Sequence, residues 1–155
     1  MEYRSTDMRK FLYILVCQLV GIAGGLATRS HIKEWYPQLK KPAFNPPNWI
    51  FGPVWTTLYV MIAVAGWRIW MIDAKSAAMK IWFGQMVFNW AWSPIWFIGQ
   101  MLWPAFAVIM VILALIIAFI VTARKLDTPA AWLFVPYLAW VSFASLLNLS
   151  IGILN

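Results

Sequence analysis

Residues 103–123 read WPAFAVIMVILALIIAFIVTA, a stretch without a single charged side chain. A helix needs about 20 mostly apolar residues to cross the hydrocarbon core of a bilayer. Arg124 and Lys125 follow directly, and basic residues at that position lie among the lipid headgroups. This stretch therefore predicts a transmembrane helix and sets the environment for the rest of the chain.

Four further segments are apolar over a similar length. The five predicted spans cover residues 11–28, 50–72, 81–100, 103–123 and 130–152. The chain is 63% hydrophobic and 11% charged, and a water-soluble domain needs more polar surface than that. Only the connection between the first two spans is long, which leaves no room for a second domain. We expect an all-α membrane protein, a five-transmembrane-helix bundle that forms one domain over residues 1–155.

The net charge of +7 comes from Lys and Arg residues between the apolar segments, not from one basic face. This distribution argues against nucleic-acid binding and for loop charges that set topology. Eight of these residues lie on the side of the N-terminus, and four lie in the long first loop. The excess predicts a cytoplasmic N-terminus.

Several kinds of chemistry are disfavoured by the residues inside the spans. No Asp or Glu falls within them, which argues against a proton relay or a carboxylate metal site. The single cysteine, Cys17, excludes an intramolecular disulfide and a cysteine-based metal site. Arg68, at the end of the second span, is expected to extend its side chain to the membrane interface. We expect no metal and no cofactor.

Small residues cluster in the first span and include one GxxxG pattern, from Gly21 to Gly25. Such spacing lets helix backbones approach closely. The close approach could serve packing inside the bundle or a seam between two copies. We predict a homodimer that packs partly through Gly21, Gly24 and Gly25, in a span that otherwise lacks pocket residues.

The third span carries polar and aromatic residues on one helical face. These are Gln85, Asn89, Ser93 and Trp96, with Trp92 beside them. Amides are costly in hydrocarbon unless they face the bundle or a ligand. They could simply form hydrogen bonds between helices. The prediction is that Asn89 faces a cavity and does not form such a bond.

Two other spans show aromatic residues one helical turn apart. Trp55 and Tyr59 share a face of the second span, with Gly66 further along it. The fifth span places Trp132, Pro136, Trp140 and Ala144 at steps of four, and Pro136 can kink that helix. Aromatic stripes of this kind also occur in ordinary cores.

The first loop is rich in proline and aromatic residues. Five prolines between residues 37 and 53 favour a rigid, non-helical segment over a flexible tether. Its aromatic side chains would be unfavourably exposed if the loop extended into water. They therefore predict an ordered lid over the mouth of the bundle. They are Trp35, Tyr36, Phe44 and Trp49.

Three motifs in this order resemble the TspO/MBR family. They are WYPQLKKPAFNPPNWIFGPVWTTLY in the first loop and second span, QMVFNWAW in the third span and WLFVPYLAWVSFASLLN in the fifth. This family comprises the bacterial tryptophan-rich sensory proteins and the mitochondrial translocator protein, also called the peripheral-type benzodiazepine receptor. The resemblance covers nearly the whole chain. It implies the bacterial cell membrane, with an organelle or the bacterial outer membrane as alternatives.

The resemblance also implies a ligand pocket under the first loop. Family ligands include protoporphyrin IX and other tetrapyrroles, sterols and synthetic benzodiazepine-site compounds. Members that bind cholesterol carry Tyr followed by Arg or Lys after the fifth span, but this chain ends LLNLSIGILN, so sterol binding is not implied. The residues carried over by motif are Trp35, Tyr36, Pro46, Phe51, Trp55, Tyr59, Asn89, Trp92, Ser93, Trp96, Trp140 and Ala144.

Three functions compete at this point. The first is a tetrapyrrole-binding membrane protein that acts as a carrier or a stress-linked sensor, with the ligand's carboxylates at Arg29, Lys40 and Lys41. The second is an enzyme that degrades porphyrin in light, with Trp55 and Trp140 as redox participants. The third is a scaffold that works through helix contacts without a small-molecule ligand.

Overall fold

The computed structural model of the chain describes the backbone of residues 2–27 and 33–155, with side chains from residue 8 to 23 and from 33 onward. These residues form helices and no strand. The helices are α1 (Glu2–Ala27), α2 (Phe51–Ile72), α3 (Ala77–Ser93), α4 (Leu102–Ala123), α5 (Thr128–Leu133) and α6 (Val135–Leu154). Because α5 and α6 follow one another across Phe134, the six form five rods, and the predicted all-α five-helix bundle is confirmed.

Three stretches within the described residues are long and apolar enough to cross a membrane. They are Asn48–Ile72, Leu102–Ala123 and Thr128–Leu154, with mean hydropathies of 1.5, 3.2 and 1.7. Large apolar side chains cover the outside of the bundle, such as Val60 (61% exposed) and Ile153 (69% exposed). Water would penalise such a surface, whereas lipid tails accept it. The chain is an integral membrane protein.

The rods are arranged in a ring, and α2 also contacts α3. Helix α1 packs against α2 and α3, α3 against α4, α4 against α6, and α2 against α5. The order around the ring is therefore α1, α2, α5/α6, α4, α3. Neighbours along the chain are not always neighbours in space, and the side chains of α1, α2, α3 and α6 face a common interior.

Capping residues and prolines decide where the helices begin and end. The Ser76 hydroxyl accepts a hydrogen bond from the Met79 backbone N–H at the start of α3. Pro94 lacks an N–H, and there α3 widens into a π-helix over Pro94–Ile98. The fifth segment breaks at Phe134, and Pro136 is the second residue of α6, where a missing N–H costs little.

One glycine controls the contact between α2 and α3. The Trp82 indole is fully buried, and its Nε1–H donates to the Ile62 backbone oxygen at 2.9 Å. Its ring lies against the backbone of Gly66, where an added Cβ atom would be 2.4 Å from Trp82 Cε2. A rigid indole cannot yield that much space, so only glycine allows this approach.

We predict that Gly66→Ala destabilises the protein by about 1–3 kcal/mol, because an extra methyl group overpacks the buried Trp82 ring. Thermal unfolding of the purified protein in detergent measures the change. Gly52→Ala is the matched control, since a Cβ atom at Gly52 meets no atom within 4 Å. Equal melting temperatures for the two variants would contradict this account.

Arg68 does not simply extend to the interface as the sequence suggested. Its Nε–H and Nη2–H donate to Asp127 at 2.6 and 3.0 Å, and this ion pair joins α2 to the start of α5. The Asp127 carboxylate also caps α5 by accepting from the Ala130 N–H. The hydrogen bond from Arg68 holds the pKa of Asp127 below its usual range.

Because this pKa is depressed, the ion pair should stabilise the protein at neutral pH and lose its effect in acid, as pH falls through the lowered pKa. The Arg68 side chain is 39% exposed, so we expect only about 0.5–1 kcal/mol. Asp127→Asn keeps a capping side chain and removes the charge. Its unfolding midpoint should be lower than that of wild type at pH 7, and the difference should disappear in acid, below the lowered pKa of Asp127. A constant difference across pH would contradict the ion-pair explanation.

Candidate functional site

A cavity of about 680 Å³ lies inside the ring. This volume is in the range of pockets that hold drug-sized ligands. Nearly all of its wall is apolar or aromatic, with a few amides and hydroxyls. Among its lining residues are Tyr36, Asn48, Phe51, Trp55, Tyr59, Asn89, Trp92, Ser93, Trp96, Trp140, Ala144 and Asn148, and from α1 Phe11, Ile14, Leu15, Gln18, Gly21 and Ile22.

Aromatic rings in edge-on and tilted contacts form one wall. The Trp55 ring lies edge-on to Trp140, with 6.4 Å between centroids, and leans against Tyr59 at 5.6 Å. Phe51 meets Trp140 at 5.7 Å. Edge-to-face contacts of this kind fix ring orientation. The wall is therefore held in place by the rings themselves.

The end of α3 and the π-helix form another part of the wall. Trp92 and Trp96 stack with 5.5 Å between centroids and 13° between planes. The Trp92 Nε1–H donates to Asn148 Oδ1, whose amide in turn donates to the Leu102 backbone oxygen. The π-helix thus presents stacked indoles to the cavity, an arrangement typical of π-bulges at functional sites.

The first loop packs onto this wall. Tyr36 is 6% exposed and lines the cavity, and its ring and that of Trp35 contact Phe97. The Tyr36 hydroxyl donates to Asn45 Oδ1, while the Lys41 ammonium lies 4.6 Å from the Tyr36 ring centre. Lys40 exchanges two hydrogen bonds with the Asn155 side chain, so the loop also holds the C-terminus.

A chain of hydrogen bonds crosses the interior beneath the aromatic wall. The Tyr59 hydroxyl donates to Asn89 Oδ1 at 2.9 Å, and Asn89 Nδ2 donates to the Tyr137 hydroxyl at 2.8 Å. The Tyr137 hydroxyl then donates to Gln85 Oε1 at 2.9 Å. This chain joins α2, α3 and α6. Asn89 faces the cavity, as predicted. The prediction that it forms no hydrogen bond between helices is wrong, because it bonds to both Tyr59 and Tyr137.

The structure gathers ten of the twelve carried-over residues around the cavity. The other two lie beside it. Trp35 packs behind the wall against Trp96, and Pro46 borders a neighbouring shallow groove. Arg29, one of the three expected carboxylate partners, lies outside the described residues.

Several residues singled out by helical spacing or by the first loop do not line the cavity. Gln85 is fully buried under Tyr137 and does not reach the cavity. Trp132 is 67% exposed, because the break at Phe134 rotates α5 relative to α6. Trp49 is 73% exposed and Phe44 46%, so these loop aromatics are not shielded within the chain. An exposed Trp49 suits the headgroup region.

Helix α1 lines one side of the cavity. The prediction that the first span lacks pocket residues is therefore wrong. Gly21 points inward: a Cβ atom there would lie 3.3 Å from Trp90 Nε1 and 3.4 Å from Tyr59 Cζ. At this glycine the packing role, not a seam between copies, is what the structure shows. The side chains around Gly24 and Gly25 lie outside the described part of α1.

The cavity reaches the outside of the bundle between α1 and α2. Leu15 and Val60 line it and are 42% and 61% exposed. In a bilayer this side of the bundle faces lipid tails. Fold and site together define a class: an α-helical integral membrane protein whose bundle encloses an apolar, aromatic-walled cavity.

The chain belongs to the TspO/MBR family, which it matches over residues 13–154. It is 38% identical to the tryptophan-rich sensory protein of Cereibacter sphaeroides, covering 97% of this chain and 94% of the relative. It is also 38% identical to the tryptophan-rich protein TspO of Archaeoglobus fulgidus, covering 92% and 94%. With the translocator protein of Ovis aries the identity is 34%, covering 84% and 82%.

Asn89→Leu should lower stability by about 1–3 kcal/mol, because it leaves the Tyr59 hydroxyl without its acceptor and removes the bond to Tyr137. Tyr59→Phe, which keeps the Asn89–Tyr137 bond, should cost less. Thermal unfolding in detergent measures both. If Asn89→Leu is as stable as wild type, the hydrogen-bond chain does not hold the helices together.

Proposed function

We propose that this protein binds tetrapyrroles such as protoporphyrin IX in the cavity and acts as a carrier or a stress-linked sensor. The observation that carries the proposal is a cavity whose lining includes four tryptophans, Trp55, Trp92, Trp96 and Trp140. A flat aromatic macrocycle fits between indole rings that expose their faces and edges. The volume of about 680 Å³ admits one such ligand.

The charged edge of the ligand has candidate partners at the loop. Tetrapyrroles such as protoporphyrin carry carboxylates, which bind best to cations near water. Lys41 lies over the ring of Tyr36, a residue of the cavity wall, and Lys40 is held nearby through Asn155. The proposal places the carboxylates at this end and the apolar macrocycle between the helices.

The first loop acts, in this proposal, as a lid on that end. Burial of Tyr36 against Phe97 and the bond from its hydroxyl to Asn45 support an ordered segment. The ligand would escape slowly while these contacts hold.

In the membrane, all five rods would cross the bilayer. Helix α1 spans about 39 Å at 1.5 Å per residue, and the π-helix extends α3. The positive residues favour a cytoplasmic N-terminus in a bacterial cell membrane. A homodimer remains part of the proposal, with a seam that leaves Gly21 inside each bundle.

Protoporphyrin IX titrated into the protein in nanodiscs should shift its own absorbance in a saturable way in the dark. The readout is the porphyrin, because 12 tryptophans make protein fluorescence ambiguous. Trp140→Leu should weaken binding about tenfold by removing a stacking wall. Trp132→Leu is the matched control: the same substitution in the same membrane segment, at an exposed site.

Illumination of the bound complex separates carrier from enzyme. A carrier or sensor leaves the porphyrin spectrum unchanged, whereas light-driven loss that requires Trp55 or Trp140 would favour the degrading enzyme. If no saturable binding occurs, or if Trp132→Leu and Trp140→Leu behave alike, the proposal fails and a scaffold becomes the better reading.

A further inference from the structure

The first loop is joined to the bundle by hydrogen bonds at a single residue. Within the described part of the chain, residues 33–46 form hydrogen bonds with one another and, outside their own stretch, only with Asn155 just after α6. The Asn155 Oδ1 atom accepts from the Lys40 backbone N–H at 3.1 Å, and Asn155 Nδ2 donates to the Lys40 backbone oxygen at 2.9 Å. We call these two hydrogen bonds the Lys40–Asn155 pair.

The Asn155 side chain is well suited to hold a loop. Its carboxamide offers an acceptor and a donor side by side, which match the N–H and the C=O of one backbone residue. Asn155 Nδ2 also donates to the Ile151 backbone oxygen at 2.8 Å, in the last turn of α6. This contact ties the carboxamide to the helix. The Lys40 backbone is therefore held at a fixed place relative to α6.

The Lys40–Asn155 pair lies next to the part of the loop that contributes to the cavity wall. Leu39, the residue before Lys40, packs against a buried cluster to which the loop contributes Tyr36. To the same cluster α6 contributes Leu147 and Ile151, and all three clustered residues line the cavity. Because Leu39 and Lys40 are adjacent in the chain, release of Lys40 from α6 would loosen the loop at the cavity wall.

The pair can open without disturbing the bundle. Lys40 and Asn155 are both exposed, so water can replace each hydrogen bond when the pair opens. Opening it costs much less than leaving a buried polar group without a partner. Segments held by a few exposed hydrogen bonds open locally and close again while the rest of the protein stays folded. The Lys40–Asn155 pair has this character.

The loop end of the cavity is also where a charged ligand can pass most easily. A tetrapyrrole that moves past the loop keeps its carboxylates near water. Passage between α1 and α2, at Leu15 and Val60, would carry them into hydrocarbon, which is strongly unfavourable.

We propose that Asn155 is a positioning residue for ligand exchange: it holds the first loop against α6, and ligand enters and leaves the cavity when the Lys40–Asn155 pair opens. The inference rests on the proposed function, since it concerns how the tetrapyrrole reaches its cavity. The same two hydrogen bonds form in the empty and in the occupied protein. Asn155 therefore controls the rates of exchange and not the affinity, whereas loss of a wall residue changes the dissociation constant.

Two variants test the role of Asn155. Asn155→Ala removes the Lys40–Asn155 pair. Ser150→Ala is the matched control: it removes a side-chain hydrogen bond within the same helix, at a residue that is not among those lining the cavity. Both proteins are studied in nanodiscs, first without ligand and then with protoporphyrin IX.

Hydrogen exchange without ligand measures how firmly the loop is held. In Asn155→Ala the Lys40 amide should lose its protection. The Leu39 and Asn45 amides, whose hydrogen bonds are internal to the loop, should exchange about three- to tenfold faster. Ser150→Ala should leave all three amides as in wild type. Faster exchange at Lys40 alone would mean that the pair does not hold the loop, and would overturn the proposal.

The kinetics of protoporphyrin IX binding measure the consequence for exchange. In Asn155→Ala the association and dissociation rate constants should both rise about three- to tenfold, so that Kd stays equal to that of wild type. Ser150→Ala should change neither rate. A higher Kd with an unchanged association rate would instead make Asn155 a support of the cavity wall, contrary to the proposal.

A disulfide tests the opposite change, closure of the loop. Lys40→Cys and Asn155→Cys are combined with Cys17→Ser, which removes the natural thiol. When a count of free thiols shows the disulfide formed, both rate constants should fall by at least about tenfold, and reduction of the same sample should restore them. Equal rates before and after reduction would contradict the proposal. This comparison within one protein also carries the test if Asn155→Ala does not fold.

The outcomes separate this inference from the proposed function. If Asn155→Ala loosens the loop but porphyrin exchanges at the wild-type rates, the ligand leaves by another path, such as the opening between α1 and α2. The inference is then wrong while tetrapyrrole binding stands. If wild type binds no porphyrin, the proposed function fails, and the role of Asn155 in ligand exchange fails with it.

Discussion

Inside a bilayer no water is available to satisfy a polar group. The hydrogen-bond chain from Tyr59 through Asn89 and Tyr137 to Gln85 answers this constraint with side chains, and among these four residues it leaves the Gln85 amide nitrogen without a described partner. Each of these hydrogen bonds joins two different helices. The chain therefore fixes the rotation of α2, α3 and α6 about their own axes. Trp55 is one turn before Tyr59, and Trp140 is three residues after Tyr137. The hydrogen bonds that position the two tyrosine hydroxyls therefore also position the Trp55 and Trp140 indoles. The cavity wall thus depends on this chain of hydrogen bonds.

Two tryptophans meet glycines in adjacent helices, with different results. Trp82 fills the space over Gly66, and its indole N–H donates a hydrogen bond to the Ile62 backbone oxygen. Trp90 lies beside Gly21 with slightly more room, and its N–H has no acceptor in the described residues. The first contact closes the bundle between α2 and α3. The second packs α1 against α3 and leaves the Trp90 N–H without an acceptor among the described residues. The same pair of residue types thus makes two helix contacts, one with a satisfied indole N–H and one without.

The sequence was sufficient for the helices because apolar length is a local property. It also located Trp55, Asn89 and Trp140, since spacing by four residues holds within one unbroken helix. It failed for Trp132, because the break at Phe134 resets that spacing between α5 and α6. Tyr137 was missed because its role depends on two partners in another helix, Asn89 and Gln85 of α3. The pairing of Arg68 with Asp127, 59 residues away, likewise needs the ring order of the helices, which no local pattern encodes.

The opening between α1 and α2 changes which forces can select a ligand. A molecule that enters from the lipid exchanges one apolar environment for another, so burial of its hydrocarbon surface contributes little. Lipid tails are abundant competitors for the same space. Selection must come from what a tail cannot do: stack on indole rings such as Trp92 and accept hydrogen bonds from buried donors. Under the proposed function, this accounts for the many aromatic rings in a cavity that is open to lipid at Leu15 and Val60.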